Sequence, residues 1–526
     1  MRSFWEVIAY RTVKEQKVIS TNCQRTVKME ISRYFWPVTL SSFFQRLPGR
    51  GAAKYLYIAL PVMAVEWIVF KCLYPYADFF ADSYSYVEAA AQRDAIGYRP
   101  IGYSLFLRLV HVVWSSDTFL VTLQYILVQG ACLGLFLTLV RRCGLGVRTS
   151  GVLLAFLLLN PTIPYLCNYV SSDALFVGLS VVWVTVLMGM VRAPVWWRLA
   201  LQVALLFVIF NLRYVALYYP AVASLSFLLL RKKASVAFKL TGIVCSIGVV
   251  TVCTEWIKHI TYKETGAEIF SAFSGWQIAN NALHLYPFRP VDTVGMPSPA
   301  TRELAIDVRI FFARTGPALL QRGPEPTTEY MWVRASPLHI YMDTLRRREH
   351  TTYFNAWNRV GPVFTQYGYF LVRRHPLDYI RYYGWNSAKS FFVSPLDVFA
   401  VYNEGHPTVD PVAVSWFHYP SARPRVWSFT AQEALIAPWP WIVFCFNFAF
   451  LLVTLWYLSS RKRREGYPVF TGALELTAAY LLSHALFCIA ASPSVFRYQV
   501  LPMILLFFFT VAALGILWER RAVEKV

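Results

Sequence analysis

Apolar stretches about as long as a bilayer is thick recur along the chain, each closed by a short polar or basic turn. A helix needs roughly 20 apolar residues to cross the hydrocarbon core. Runs of that order predict spans at about Tyr55–Tyr74, Thr118–Val140, Ser150–Leu166, Asp173–Val191, Arg198–Phe210, Tyr214–Leu230, Val236–Trp256, Trp439–Leu458, Phe470–Ala490 and Gln499–Trp518. That makes roughly ten crossings. Two are short, and the boundary around Asn211–Arg213 is the weakest. Ile101–Trp114 is shorter still and interrupted by Arg108 and His111, so it is expected in the interface or packed on the bundle.

The charges orient this pattern. Arg141, Arg142 and Arg148, then Arg192 and Arg198, Arg231–Lys233, Arg461–Arg464, and Arg520, Arg521 and Lys525 all fall at alternate ends of the spans. The opposite short loops hold only Arg93, Arg99, Arg213 and Arg497. The positive-inside bias therefore places both termini in the cytoplasm and the polar stretch Lys258–Leu435 outside. The layout expected is a cytoplasmic segment over 1–54 and an N-terminal bundle over 55–257, whose first outer loop is 75–117. An outer domain of mixed structure over 258–436 and C-terminal helices over 437–526 complete it. The fold class is an all-α polytopic membrane protein of the cell inner (plasma) membrane. The N-terminal stretch lacks an apolar core before a small-residue cleavage site, so it is not a secretory signal, and Met29 is an alternative start.

Composition agrees: 57% of residues are hydrophobic and 15% charged, with a mean hydropathy of +0.43. Disordered, fibrous and simple water-soluble proteins are excluded. The formal charge of +21 raises nucleic acid as a partner, but the basic residues sit between spans rather than on one face, so membrane lipids and not nucleic acid are expected. None of the nine cysteines lies in Lys258–Leu435, and no CxxC pair or Cys/His metal spacing occurs, so no cofactor, zinc or redox site is called for.

The unusual polar residues collect in the outer turns. The first loop carries Asp78, Asp82, Tyr84, Tyr86 and Glu88, then Gly97-Tyr98-Arg99-Pro100-Ile101-Gly102-Tyr103. The next turns carry Asn160 to Asp173 (with Asn168 and Tyr169), Asn211-Leu212-Arg213-Tyr214, and Ser492 to Arg497-Tyr498. Carboxylates, arginines and tyrosines at one membrane face suit an anionic lipid head group beside a hydroxyl-bearing partner. A carboxylate there can take the hydroxyl proton, which contributes roughly 10²–10⁴ in rate. Fixed guanidiniums can hold a departing phosphate.

These residues resemble the GT-C superfamily of polyprenyl-phosphate-sugar-dependent glycosyltransferases, which includes protein O-mannosyltransferases and bacterial aminoarabinose-to-lipid A transferases. The resemblance lies in Asp82, Tyr86 and Ala89, the Arg99-Pro100-Ile101-Gly102-Tyr103 turn, Pro164, Tyr169, Ser172 and Asp173, and Arg497-Tyr498 with Pro502. It covers most of the bundle through short, loose motifs. It implies a GT-C-like bundle with a large outer domain. It implies an inverting transfer from a polyprenyl-phosphate-linked sugar donor to a lipid, glycan or protein acceptor, with no metal required. By the same resemblance Asp82 is the base, and the arginines at the membrane edge, Arg99, Arg213 and Arg497, are the candidate phosphate contacts. Tyr98, Asn168, Tyr169 and Tyr498 are further substrate-binding candidates. Where the mannosyltransferases often carry Asp-Glu this chain has Asp82-Ser83, so Asp78 remains a rival base.

Plainer roles stand beside these. Asp82 or Ser85 can start a helix through a capping box, and Asp173 after Ser171-Ser172 reads as an N-cap. Arg213 and Arg497 can be snorkelling anchors. Glu66 lies inside the first span, where a carboxylate needs a partner. In the outer segment, Trp276 beside Asn280 and Asn281 suits either a sugar or a turn, and His375-Pro376 reads as a helix start. Rival functions are a polysaccharide polymerase or ligase and a non-enzymatic lipid or sugar transporter. Against transport, the polar residues lie at one face rather than the midplane and no repeat is visible.

Overall fold

The computed structural model describes residues 50–230, 234–290, 293–322 and 328–523. By its contacts the chain divides into residues 1–56 and 57–526, and the second unit carries everything that follows. The cytoplasmic segment expected before residue 50, the start at Met29, the Arg231–Lys233 cluster and Lys525 lie outside the described residues, as do the side chains of Arg520 and Arg521.

The chain is an all-helical polytopic membrane protein. Among the described residues eight helices are long and apolar enough to cross a bilayer: Ala53–Leu73, Asp117–Cys143, Val147–Asn168, Ser172–Arg192, Val236–Thr265, Ala431–Ser459, Pro468–Ala491 and Phe496–Trp518. Three shorter apolar helices accompany them, Gly102–Val113, Trp196–Leu212 and Tyr214–Leu228. Thus eight of the expected crossings have full length, and the two short ones are the pair flanking Arg213. At Arg213 the backbone turns extended (φ −151°), a 3-10 turn covers Tyr214–Tyr218, and Pro220 enters the first turn of the next helix. Proline suits that position because its missing N–H is not needed there. The break leaves Arg213 at the rim of the bundle.

Several helices carry apolar side chains such as Ile58, Val65, Ile68, Leu451, Leu452 and Leu455 outward, as lipid solvation allows. The centre is polar-stitched. Gln124 accepts from Tyr103 Oη (2.8 Å) and donates to the carbonyls of Cys167 (2.8 Å) and Tyr169 (2.9 Å), locking the second outer turn to the bundle. Glu66 has its partners in Tyr125 (2.6 Å) and Gln129 (3.4 Å). At the other helix ends, Arg198 donates to the carbonyls of Gly189 (2.6 Å) and Ala193 (2.7 Å) and closes a helix C-terminus.

The outer segment was expected to be mixed. Among the described residues it contains helices and turns but no strand, and the molecule's one isolated bridge joins Asp78 to Tyr169. Its core stacks Trp276 on Trp357 (centroids 3.9 Å apart) against Phe364, Tyr367, Leu304 and Leu338. Helix Ser274–Leu283 crosses Gly361–Arg374 at backbone contact. A Cβ on Gly275 would lie 2.1 Å from the Gly361 carbonyl oxygen, and one on Gly368 would lie 2.7 Å from the Ile278 backbone. A separate strap, Pro395–Gly405, leaves this core and binds the bundle. Tyr402 Oη donates to the Ala77 carbonyl (2.7 Å), and Phe496 N–H donates to the Pro395 carbonyl (2.9 Å).

Candidate active site

The first-loop helix, Ala81–Gln92, is started by Ser83, whose Oγ accepts from the Phe80 N–H (3.1 Å). Asp82 sits in the first turn but does not cap it. Its carboxylate turns to Arg99, which donates from Nη2 (2.6 Å) and Nε (3.1 Å). Arg93, in the left-handed region (φ 60°), ends the helix and lets the chain double back to Arg99. Gly102 then fixes where that turn lies, because a Cβ there would meet the Asn211 carbonyl oxygen at 2.4 Å. The turn bearing Arg99 is thereby pressed on the break that bears Arg213.

A second acid-base pair faces the first. Ser171 caps the Ser172–Arg192 helix by accepting from the Asp173 N–H, so the cap expected of Asp173 belongs to its neighbour. The Asp173 carboxylate pairs with Arg213. Between the two pairs lies Arg497, in the first turn of the last helix, 9% exposed. Its Nη2 is 3.8 Å from Asp82 and its Nη1 is 3.7 Å from Asp173. Neither is a hydrogen-bond distance, and its Nε and Nη1 have no hydrogen-bond partner among the described residues. Aromatic faces hold all three guanidiniums: Phe273 under Arg99 (4.2 Å), Tyr498 under Arg213 (4.4 Å), and Phe80 under Arg497 (4.5 Å). Arg213 and Arg497 both turn toward the buried Asp173 carboxylate.

Three guanidiniums cluster with the Asp82 and Asp173 carboxylates. They line a cavity of about 510 Å³ together with Tyr86, Tyr98, Ser172, Gln277, Asn281 and Tyr480. A third carboxylate, the more exposed Asp397, reaches the same cavity. Burial alone would push the Asp82 carboxyl up, but Arg99 and then Arg497 beside it hold it below the usual value, so it is ionised. The arrangement can hold a monoanion at Arg497 while keeping a carboxylate beside it. Among the described residues no group of three or more His, Cys, Asp or Glu is placed to hold a metal ion.

Of the sequence candidates, Asp82, Arg99, Arg213, Arg497, Tyr98 and Tyr498 meet in this cavity. Asp78, Asn168 and Tyr169 are not among its lining residues. Asp78 is buried behind the loop, where Oδ1 accepts from the Asn403 N–H (2.7 Å), and burial pushes its carboxyl up to about 8. Asn168 accepts from Lys71 Nζ (3.0 Å), which ties the second turn to the first span, and Tyr169 Oη donates to the Val398 carbonyl (2.8 Å), which ties it to the strap. His375 is 3.9 Å from Asp378 and also lies off the cavity. Trp276 is core, whereas its helix sends Gln277 and Asn281 to the cavity wall, linked at 2.7 Å. His484, also at the wall, was missed because a single histidine inside an apolar run carries no sequence signal.

No known protein family and no curated protein matches the chain. Among solved structures it is similar to ArnT from Cupriavidus metallidurans bound to undecaprenyl phosphate. The identity is 14% and the TM-score 0.30, over 88% of this chain and 77% of that one.

Proposed function

We propose that the chain is a membrane glycosyltransferase that moves a sugar from a polyprenyl-phosphate donor to an acceptor hydroxyl on the outer face, with inversion. The observation that carries this reading is the Arg497 guanidinium, whose Nε and Nη1 have no hydrogen-bond partner among the described residues, set between two carboxylates that are each already held by another arginine. A phosphodiester brings one negative charge to these two donors of Arg497. As it draws Arg497 and Arg99 to itself, Asp82 loses the cations that depress its basicity. The acceptor oxygen then attacks the anomeric carbon as Asp82 takes its proton. The bond from that carbon to the phosphate oxygen breaks, and the lipid phosphate leaves with the electron pair, its second charge met by the three guanidiniums. The residues resembling GT-C motifs support the same assignment: Asp82 and the Arg99 turn, Ser172 and Asp173, and Arg497-Tyr498. Asp78, neutral and sealed behind the strap, fits a structural role better than that of base.

The reading is tested by a mass-spectrometric lipid profile of cells with wild type or Asp82→Asn as the only copy. Accumulation of a polyprenyl-monophosphate sugar is expected in the variant, and its mass identifies the sugar. Accumulation of a pyrophosphate-linked oligosaccharide would instead indicate a polymerase or ligase. An unchanged profile with folded variant in the membrane would remove Asp82 as the base.

A further inference from the structure

A second hollow, of about 260 Å³, lies in the outer segment and is lined by Arg334, His339, Asp343, Arg346 and Tyr353. It backs onto the wall of the catalytic cavity through Met331, which lines that cavity and whose carbonyl meets His339 Nε2 at 3.0 Å. His339 is 4% exposed, with its ring 5.0 Å from Trp276 and 5.8 Å from Trp357. A carbonyl only accepts, so Nε2 carries the proton and Nδ1 of the neutral ring is an acceptor. Burial pushes the imidazole below its usual value, which keeps it in that state.

The charged groups are underused. Among the described residues Arg346 pairs with Asp343 alone, at 3.4 Å, and lies over the Tyr353 ring at 5.9 Å. Arg334 has no ion-pair partner among the described residues. Arginines at 346–348 can be read as complements to a helix C-terminus. That explains neither Arg334, which precedes the helix, nor a buried imidazole with an open acceptor. The hollow thus offers two guanidiniums, two acceptors (Nδ1 and the Asp343 carboxylate) and one aromatic ring.

We propose that this hollow binds an acidic sugar. Arg334 and Arg346 take its oxyanion, His339 Nδ1 and Asp343 accept its hydroxyls, and the Tyr353 ring covers an apolar face. The oxyanion is a carboxylate or a phosphate, since a guanidinium pair suits both. The site stands on its own residues whether or not the transferase reading holds. Under that reading the acidic sugar belongs to the acceptor.

Saturation-transfer difference NMR on the full chain in nanodiscs, with glucuronate, glucose 6-phosphate and glucose as probes, tests this. At least one anionic sugar is expected to bind, with glucuronate alone marking a carboxylate site and glucose 6-phosphate alone a phosphate site. Arg334→Gln/Arg346→Gln should weaken that binding roughly tenfold or more, the loss of a charge-assisted contact. Arg497→Gln, in the other cavity, should leave it unchanged. Each single Arg→Gln variant repeats the measurement with a smaller surface change. Binding of neutral glucose as strong as the anions, no binding of any probe, signal unaltered in the double variant, or signal lost only in Arg497→Gln would each overturn the proposal.

Discussion

At the residue scale, the two first-loop aspartates have opposite environments and should behave oppositely. Asp82 is ionised and paired, so Asp82→Asn should lower turnover roughly 10²–10⁴-fold, the usual contribution of a general base. In the free enzyme Arg99 and then Arg497 hold its pKa below the ordinary carboxylate value. The acidic limb of kcat/KM should therefore lie below the ordinary carboxylate range, activity being lost only as pH falls through that lowered value. Arg99→Gln should move the limb to higher pH, and the limb of kcat should lie above that of kcat/KM once bound phosphate has drawn the arginines away. Coincident limbs in a pH–rate series would contradict this. Asp78 is buried and neutral. Its folded state binds a proton more tightly than the unfolded chain between the ordinary carboxylate value of 3.8 and about 8, so its contribution to stability declines as pH rises across that window. Asp78→Asn keeps the acceptor for the Asn403 N–H and cannot ionise. Its melting temperature relative to wild type should rise as pH rises through that window, with activity kept within a few-fold. A loss of turnover matching that of Asp82→Asn would make Asp78 the base.

At the scale of elements, glycine contacts set the geometry. Gly102 lets the Arg99 turn rest on the Asn211 carbonyl, and Gly275 lets two outer helices cross at backbone contact. Overpacking of this kind costs typically 1–3 kcal/mol. Gly275→Ala should lower the melting temperature in detergent, whereas Gly102→Ala should also reduce turnover, because it pushes Arg99 away from Arg213. Equal activity losses in the two variants, scaled to stability, would contradict a positioning role for Gly102. Full-length spans were legible from apolar length alone, and the doubtful boundary at Asn211–Arg213 proved to be a true helix break. The sequence also grouped Arg99, Arg213 and Arg497 with carboxylates in short turns between spans, and these three line one cavity. What the sequence could not show is which polar residues of a turn face the cavity and which face another segment. Tyr98 and Tyr169 look alike as letters, yet one lines the cavity and the other is fixed by the strap 229 positions away. Asp173 was read as a cap because Ser171 and Asp173 are equally good caps on paper, and only packing assigns the job to Ser171.

At the scale of the whole molecule, the helix ends divide into one set rich in arginine clusters and another that carries the buried acid–base cavity. In the orientation we propose from the positive-inside bias, the cavity lies outside. A fluorescent reporter at the C-terminus should therefore be active in the cytoplasm, and cysteines introduced at Arg346 or Arg423 should react with impermeant thiol reagents in intact cells. Both residues belong to the polar segment between the seventh and eighth expected spans. Labelling only after lysis would invert the topology and with it the side on which the sugar is moved. The central claim is that three guanidiniums and two carboxylates form a seat for one lipid phosphate. It is tested most directly by native mass spectrometry of the purified full chain with a polyprenyl monophosphate, comparing wild type with Arg497→Gln. The expected result is a one-to-one complex with wild type whose affinity falls roughly tenfold or more in the variant, as loss of a charge-assisted contact implies. A complex absent from wild type, or equally strong in a folded Arg497→Gln protein, would contradict it.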